Sequence, residues 1–125
     1  YVNILFSNEE EAKAYSNMMP IESLNMMSKE VDIAVVKLGS KGSIIKRGDE
    51  FISISPVEVD TVIDTTGAGD MYAAGFLYGI ISGLSLKVSG EIGSLLSSNV
   101  IKETGAKISK DKWIKIKDDI KRIAD

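Results

Sequence analysis

The chain has 125 residues, a formal net charge of −3, no cysteine and no histidine, and 44% of its residues are hydrophobic. That length allows one compact core and a single domain, yet it is small for an enzyme that must enclose two substrates. Disulfides, thiolate or imidazole metal sites and a Ser-His-Asp triad are excluded, and acidic and basic residues are too evenly mixed to leave a basic face for nucleic acid.

The start, Tyr1-Val2-Asn3-Ile4-Leu5-Phe6, lacks the basic leader and cleavage site of a secretory signal. It begins with Tyr and enters an apolar run at once, which suggests a fragment; the missing cysteine and leader fit a cytoplasmic protein. Val2 to Phe6 reads as a buried strand. Ser7-Asn8 before Glu9-Glu10-Glu11 reads as a helix start, because carboxylates favour the positive end of a helix dipole. A short helix is expected after Pro20, through Ile21, Leu24 and Met27. Val31 to Leu38 reads as a central strand buried on both faces, ending in Gly39-Ser40-Lys41-Gly42. Ser43 to Lys46 and Phe51 to Ser55 read as two strands around the turn Arg47-Gly48-Asp49-Glu50, with Ile52 and Ile54 on the covered face.

Val57 to Ile63 leads into Asp64-Thr65-Thr66-Gly67-Ala68-Gly69-Asp70, and a helix should follow, with Ala74, Leu77, Tyr78 and Ile81 on its inner side and Gly83 as its stop. Gly75 and Gly79 interrupt the apolar run here, so it is not a membrane span. A second helix is expected from Ser85 to Glu103 with Val88, Ile92, Leu95 and Leu96 inward, and a last one from about Ser109 with Trp113, Ile116, Ile120 and Ile123 on one stripe. Early strands and late helices indicate a layered α/β domain.

Chemistry concentrates between Thr65 and Asp70. Small residues where a loop becomes a helix let several unpartnered amides converge on one spot, and the helix dipole adds attraction for an anion. That suits a phosphate, and better still the spreading charge of a phosphoryl group in transfer. A carboxylate at Asp70 would repel a phosphate that is merely bound, but makes sense as a base facing an acceptor alcohol. Alternatively, Gly67-Ala68-Gly69 is only a tight turn and Asp70 only a first-turn helix carboxylate. No Gly-x-x-x-x-Gly-Lys-Ser/Thr is present, and Asp70-Met71-Tyr72 breaks a dinucleotide fingerprint.

The longer string Asp64-Thr65-Thr66-Gly67-Ala68-Gly69-Asp70, followed by Ala74-Gly75-Phe76-Leu77, resembles the second signature of the ribokinase or pfkB carbohydrate kinase family. Asn8-Glu9-Glu10-Glu11 is similar to that family's Asn-x-x-Glu motif, Lys37-Leu38-Gly39-Ser40-Lys41-Gly42 to its nucleotide loop, and Glu103-Thr104-Gly105-Ala106 to its late Gly-Ala turn. The resemblance covers essentially the whole chain. It implies the carboxy-terminal portion, residues 1–125, of a ribokinase-like layered α/β/α kinase domain using ATP and Mg²⁺.

The roles implied by the resemblance are specific. Asp70 would be the base, with the amides of Gly67, Ala68 and Gly69 as the anion hole. Asn8 and Glu11 would order the water shell of Mg²⁺; they also read as a helix cap and a first-turn carboxylate, and the two readings are compatible. Lys37, Gly39, Ser40 and Gly42 would contact the nucleotide, Lys37 either pairing with a phosphate or pointing to solvent. Ser94 falls where the family flanks the nucleotide base, or simply on a polar helix face. Asp64, Thr66, Val100, Glu103, Gly105 and Ser109 match positions that hold a monovalent cation, K⁺, in some members, though Asp64 could equally start the turn.

The family's preceding half, with its sugar-binding Gly-Gly motif and the β lid that often mediates homodimers, is missing, so the isolated chain is expected to have little or no kinase activity. Acceptors among relatives include sugars, sugar phosphates and nucleosides; Glu103–Ala106 and the Tyr72–Tyr78 region resemble adenosine-kinase-like members. A domain that binds a nucleotide or sugar phosphate without turnover is the competing reading.

Overall fold

A computed structural model of the protein describes residues 3–16, 19–57, 68–101 and 110–124. Its elements are β1 (Ile4–Asn8), α1 (Glu9–Ser16), α2 (Pro20–Met27), β2 (Ile33–Lys37), a 3₁₀ turn at Gly39–Lys41, β3 (Ser43–Arg47), β4 (Glu50–Ile54), α3 (Ala68–Ile81), α4 (Leu86–Ile101) and α5 (Lys110–Ala124). They fall into two compact units, Tyr1–Pro56 and Val57–Asp125.

The first unit is a sheet of order β1-β2-β3-β4. β1 and β2 are parallel, with α1 and α2 as the crossover that parallel pairing requires, and β2, β3 and β4 are antiparallel neighbours. Side chains alternate across a strand. Ala34 and Val36 therefore share one face with Ile44 and meet Ala12, Leu24 and Met27 from the helices. Ser23 on α2 donates its hydroxyl to the Ala12 carbonyl at 3.2 Å, tying the two helices together. Ile33 and Val35, on the opposite face of β2, are also buried, so the expected two-sided burial of this strand holds. Ile54 is buried and Ser53 and Ser55 are exposed, as their alternation predicts. At the hairpin, Arg47 and Glu50 pair at 3.0 Å, but both are about half exposed and such a pair adds little.

The second unit is built from α3, α4 and α5. α3 ends in a glycine-centred stop: Gly83 has φ 77°, its amide donates to Ile80, and the Leu84 amide donates to Gly79. Ser85 starts α4 by accepting the Val88 amide at 3.2 Å. Ile92, Leu96 and Ile116 are buried together, with Val88, Leu95, Ile120 and Ile123 packed against them, so the stripes expected on α4 and α5 are the inward ones. The side chain of Trp113 lies outside the described residues.

The stripe expected on α3 is not the face that packs on α4. Ala74, Leu77, Tyr78 and Ile81 are exposed, Ile81 at 84%, while Tyr72, Gly75, Phe76 and Gly79 are buried. Close approach explains the choice. A Cβ on Gly75 would stand 3.0 Å from the Gly93 Cα, one on Gly79 would stand 2.7 Å from the Ser89 Cα, and one on Gly93 would stand 2.9 Å from the Tyr72 carbonyl. The helices touch through their smallest residues, which brings the rings of Tyr72 and Phe76 under cover and leaves the larger aliphatic side chains outside.

Candidate functional site

The carboxyl ends of β1 and β2 lie side by side, and in α/β sheets ligands gather beyond such ends. Here β1 passes into α1 with no intervening loop. Asn8 is the last strand residue, in register with Lys37, and also the residue that caps α1. Its Oδ1 accepts the Glu11 amide at 2.7 Å, and the Glu11 Oε1 accepts the Asn8 amide at 3.0 Å. This is a reciprocal capping box, which satisfies two backbone donors that the geometry of a helix start would orphan. The sequence pattern shows the cap and the first-turn carboxylate. It does not reveal that the carboxylate bonds back, although Asn-x-x-Glu before a helix is a signal that could have done so.

Lys37 is half-buried and opens the loop that carries Gly39, Ser40 and Gly42. The loop closes on itself: the Leu38 amide donates to Gly42 at 2.8 Å and the Gly42 amide to Gly39 at 3.2 Å. Gly42 has φ 93°, and a Cβ there would run into the Ile54 carbonyl. Only glycine lets the loop lie so close to the end of β4. Asn8, Glu11, Lys37, Gly39, Ser40 and Gly42 thus converge on one end of the first unit's sheet.

In the second unit, Ala68, Gly69 and Asp70 form the first turn of α3. Ala68 is buried and Gly69 half-buried, while Asp70 is exposed and its carboxylate makes no hydrogen bond or ion pair with a described residue. Ser94 is half-buried on α4, and the backbone of Val100 lies in the last turn of the same helix. Asp64, Thr66, Gly67, Glu103, Gly105 and Ser109 lie outside the described residues.

Among the described residues no group of three or more acidic side chains could cage a metal ion. Glu11 offers one oxygen, Oε2, that makes no bond to a described residue. A lone carboxylate oxygen of this kind fits Mg²⁺ held through its own water, the ion's usual preference. No helix among the described residues is long and apolar enough to cross a membrane.

Residues 1–113 match the family described as pfkB family carbohydrate kinase. A nucleoside kinase of Methanocaldococcus jannaschii is 37% identical over 116 residues, covering 93% of this chain and 38% of that protein. The crystal structure of a probable sugar kinase from Rhizobium etli superimposes with a TM-score of 0.86 at 32% identity, over 96% of this chain and 36% of that one. An Arabidopsis thaliana ribokinase, solved with ribose and ATP, gives a TM-score of 0.80 at 27% identity, over 91% of this chain and 40% of its own. The fold is accordingly the ribokinase-like α/β fold in part, and the chain spans well under half the length of each of these relatives.

Proposed function

The chain belongs to the pfkB carbohydrate kinase family, and from that we propose that residues 1–125 form the nucleotide-binding and catalytic part of an enzyme that moves the γ-phosphoryl group of ATP to a hydroxyl of a sugar or nucleoside. The observation that carries this reading is the exposed Asp70, at the start of a 14-residue helix, with no cation or amide among the described residues holding its carboxylate. A carboxylate so placed can reach an incoming alcohol, while the amides at the same helix end favour negative charge.

In the proposed reaction Asp70 takes the proton of the acceptor hydroxyl. The acceptor oxygen bonds to the γ-phosphorus, the bond from that phosphorus to the β–γ bridging oxygen breaks, and ADP leaves. The amides of Gly67, Ala68 and Gly69 stabilise the charge on the transferring oxygens. Lys37, Gly39, Ser40 and Gly42 hold the nucleotide phosphates and ribose, and Ser94 flanks the base. Asn8 and Glu11 keep the water shell of Mg²⁺, which supplies charge neutralisation at the ATP phosphates. Asp64, Thr66, Val100, Glu103, Gly105 and Ser109 form a monovalent-cation site for K⁺. The similarity to the M. jannaschii nucleoside kinase supports a nucleoside acceptor.

The relatives' additional length supports one further expectation: the isolated 125-residue chain turns over little or no substrate. The family resemblance alone implies, in a longer polypeptide that we read as cytoplasmic, a lid over the acceptor and a homodimer through it.

Asp70→Asn in the complete polypeptide tests the central claim. The base role predicts a kcat lower by roughly 10²–10⁴-fold. ATP affinity should stay within about threefold, since only the transition state loses an interaction. Turnover near the original rate removes Asp70 as the base. A parent protein that binds ATP without phosphorylating any sugar or nucleoside would instead favour the non-catalytic binding reading.

A further inference from the structure

We propose that Gly93 on α4 is a positioning residue for Asp70: it acts through the Tyr72 carbonyl and sets how closely the amino end of α3 seats on α4, an inference that rests on Asp70 serving as the base.

Gly93 is buried and lies in a notch made by Tyr72 and Gly75, which are one helical turn apart on α3 and so share a face. A Cβ at Gly93 would stand 2.9 Å from the Tyr72 carbonyl oxygen and 3.3 Å from two carbons of its ring. From the other side, a Cβ at Gly75 would stand 3.0 Å from the Gly93 Cα and amide nitrogen. The carbonyl is backbone and cannot swing aside as the end of a side chain can. The Tyr72 ring is itself buried and stacked on Phe76, with centroids 6.4 Å apart. Tyr72 follows Asp70 by two residues of continuous helix, about 3 Å along the axis, so what moves one moves the other.

Only hydrogen at position 93 lets this seat form. With a methyl there, the carbonyl must retreat by about half an ångström to reach an ordinary contact of 3.4 Å. α4 is backed by α5 through Ile92, Leu96 and Ile116, so α3 takes the displacement at its amino end. A reacting group misplaced by about 1 Å costs about 100-fold in rate, and half that distance about tenfold.

Gly79 supplies the contrast. A Cβ there would stand 2.7 Å from the Ser89 Cα, so the crowding is at least as severe. Gly79 lies well down the helix from Asp70, however, about 13 Å along the axis. Crowding at that end should cost stability without unseating the carboxylate.

The experiment measures kcat, KM for ATP and the denaturation midpoint of the complete polypeptide carrying Gly93→Ala, Gly79→Ala, Asp70→Asn or the pair Gly93→Ala/Asp70→Asn. The acceptor is the sugar or nucleoside that the parent phosphorylates fastest, with adenosine and ribose tried first. Gly93→Ala should lower kcat about tenfold with KM for ATP within about threefold, while Gly79→Ala, at least as destabilised, keeps kcat within about threefold. In the double variant, Gly93→Ala should add less than about twofold to the loss caused by Asp70→Asn, because a residue that acts only by placing the carboxylate has nothing left to place.

A parent-like kcat for Gly93→Ala overturns the inference, as does an equal kcat loss in both glycine variants or a double variant whose loss is the product of the single ones. A changed KM for ATP with kcat intact means that α4 moved instead of α3, and overturns it too. A parent-like kcat for Asp70→Asn removes the base role, and the inference falls with that reading. If Gly93→Ala does not fold, Gly75→Ala, which crowds the same notch from α3, takes its place in every comparison.

Discussion

At the β1–α1 junction a candidate residue is held by hydrogen bonds through its own side chain, whereas at the start of α3 the carboxylate of the candidate base makes no bond to a described residue and its helix is placed by packing. Glu11 depends on bonds that another residue of the right chemistry could remake. Asp70 depends on volume: α3 sits where Gly75 and Gly79 allow it to sit against Gly93 and Ser89. The first carboxylate is held through its own atoms; the second is placed only through the helix that carries it.

The two modes should respond differently to substitution. The largest effect on stability is expected at Phe76, which is fully buried at 0% exposure. Phe76→Ala should cost about 3–5 kcal/mol in chemical denaturation. Next comes Gly79→Ala, whose new methyl would press on the Ser89 backbone. Overpacking of this kind costs about 1–3 kcal/mol, and the helix pair cannot relax without parting. A parent-like stability for Gly79→Ala would mean that α3 and α4 do not rely on close approach.

Smaller is the expected cost of Asn8→Ala, about 1 kcal/mol for the loss of a helix cap. Asn8→Ser should recover most of it, which no substitution at Gly79 can do. The smallest effect is expected for Ile81→Ser, within about 0.5 kcal/mol, because that side chain is exposed. A loss above about 2 kcal/mol at Ile81 would restore the stripe that the sequence suggested and contradict the packing seen here.

Much of the order of elements can be read without coordinates because its signals are local. Acidic residues after Asn8, proline at the start of α2, the alternation in β4 and the Gly83 stop each act within a few positions. The Asn8–Glu11 pair belongs to the same class, since a capping box spans one helical turn. α3 fails by contrast: it is apolar nearly all round, so hydrophobic spacing cannot say which side is inside. There the decision passed to shape, and the side with the smallest residues won because it could approach α4 most closely. The neighbourhood of Asn8 and Lys37, and the need for glycine at 42 beside the Ile54 carbonyl, were likewise settled by strand pairing and loop contact between residues far apart in the chain. Local patterning chose the helices and strands and supplied the candidate chemistry; contact between distant segments chose the buried faces and the neighbours of each candidate residue, because only there do volumes compete for the same space.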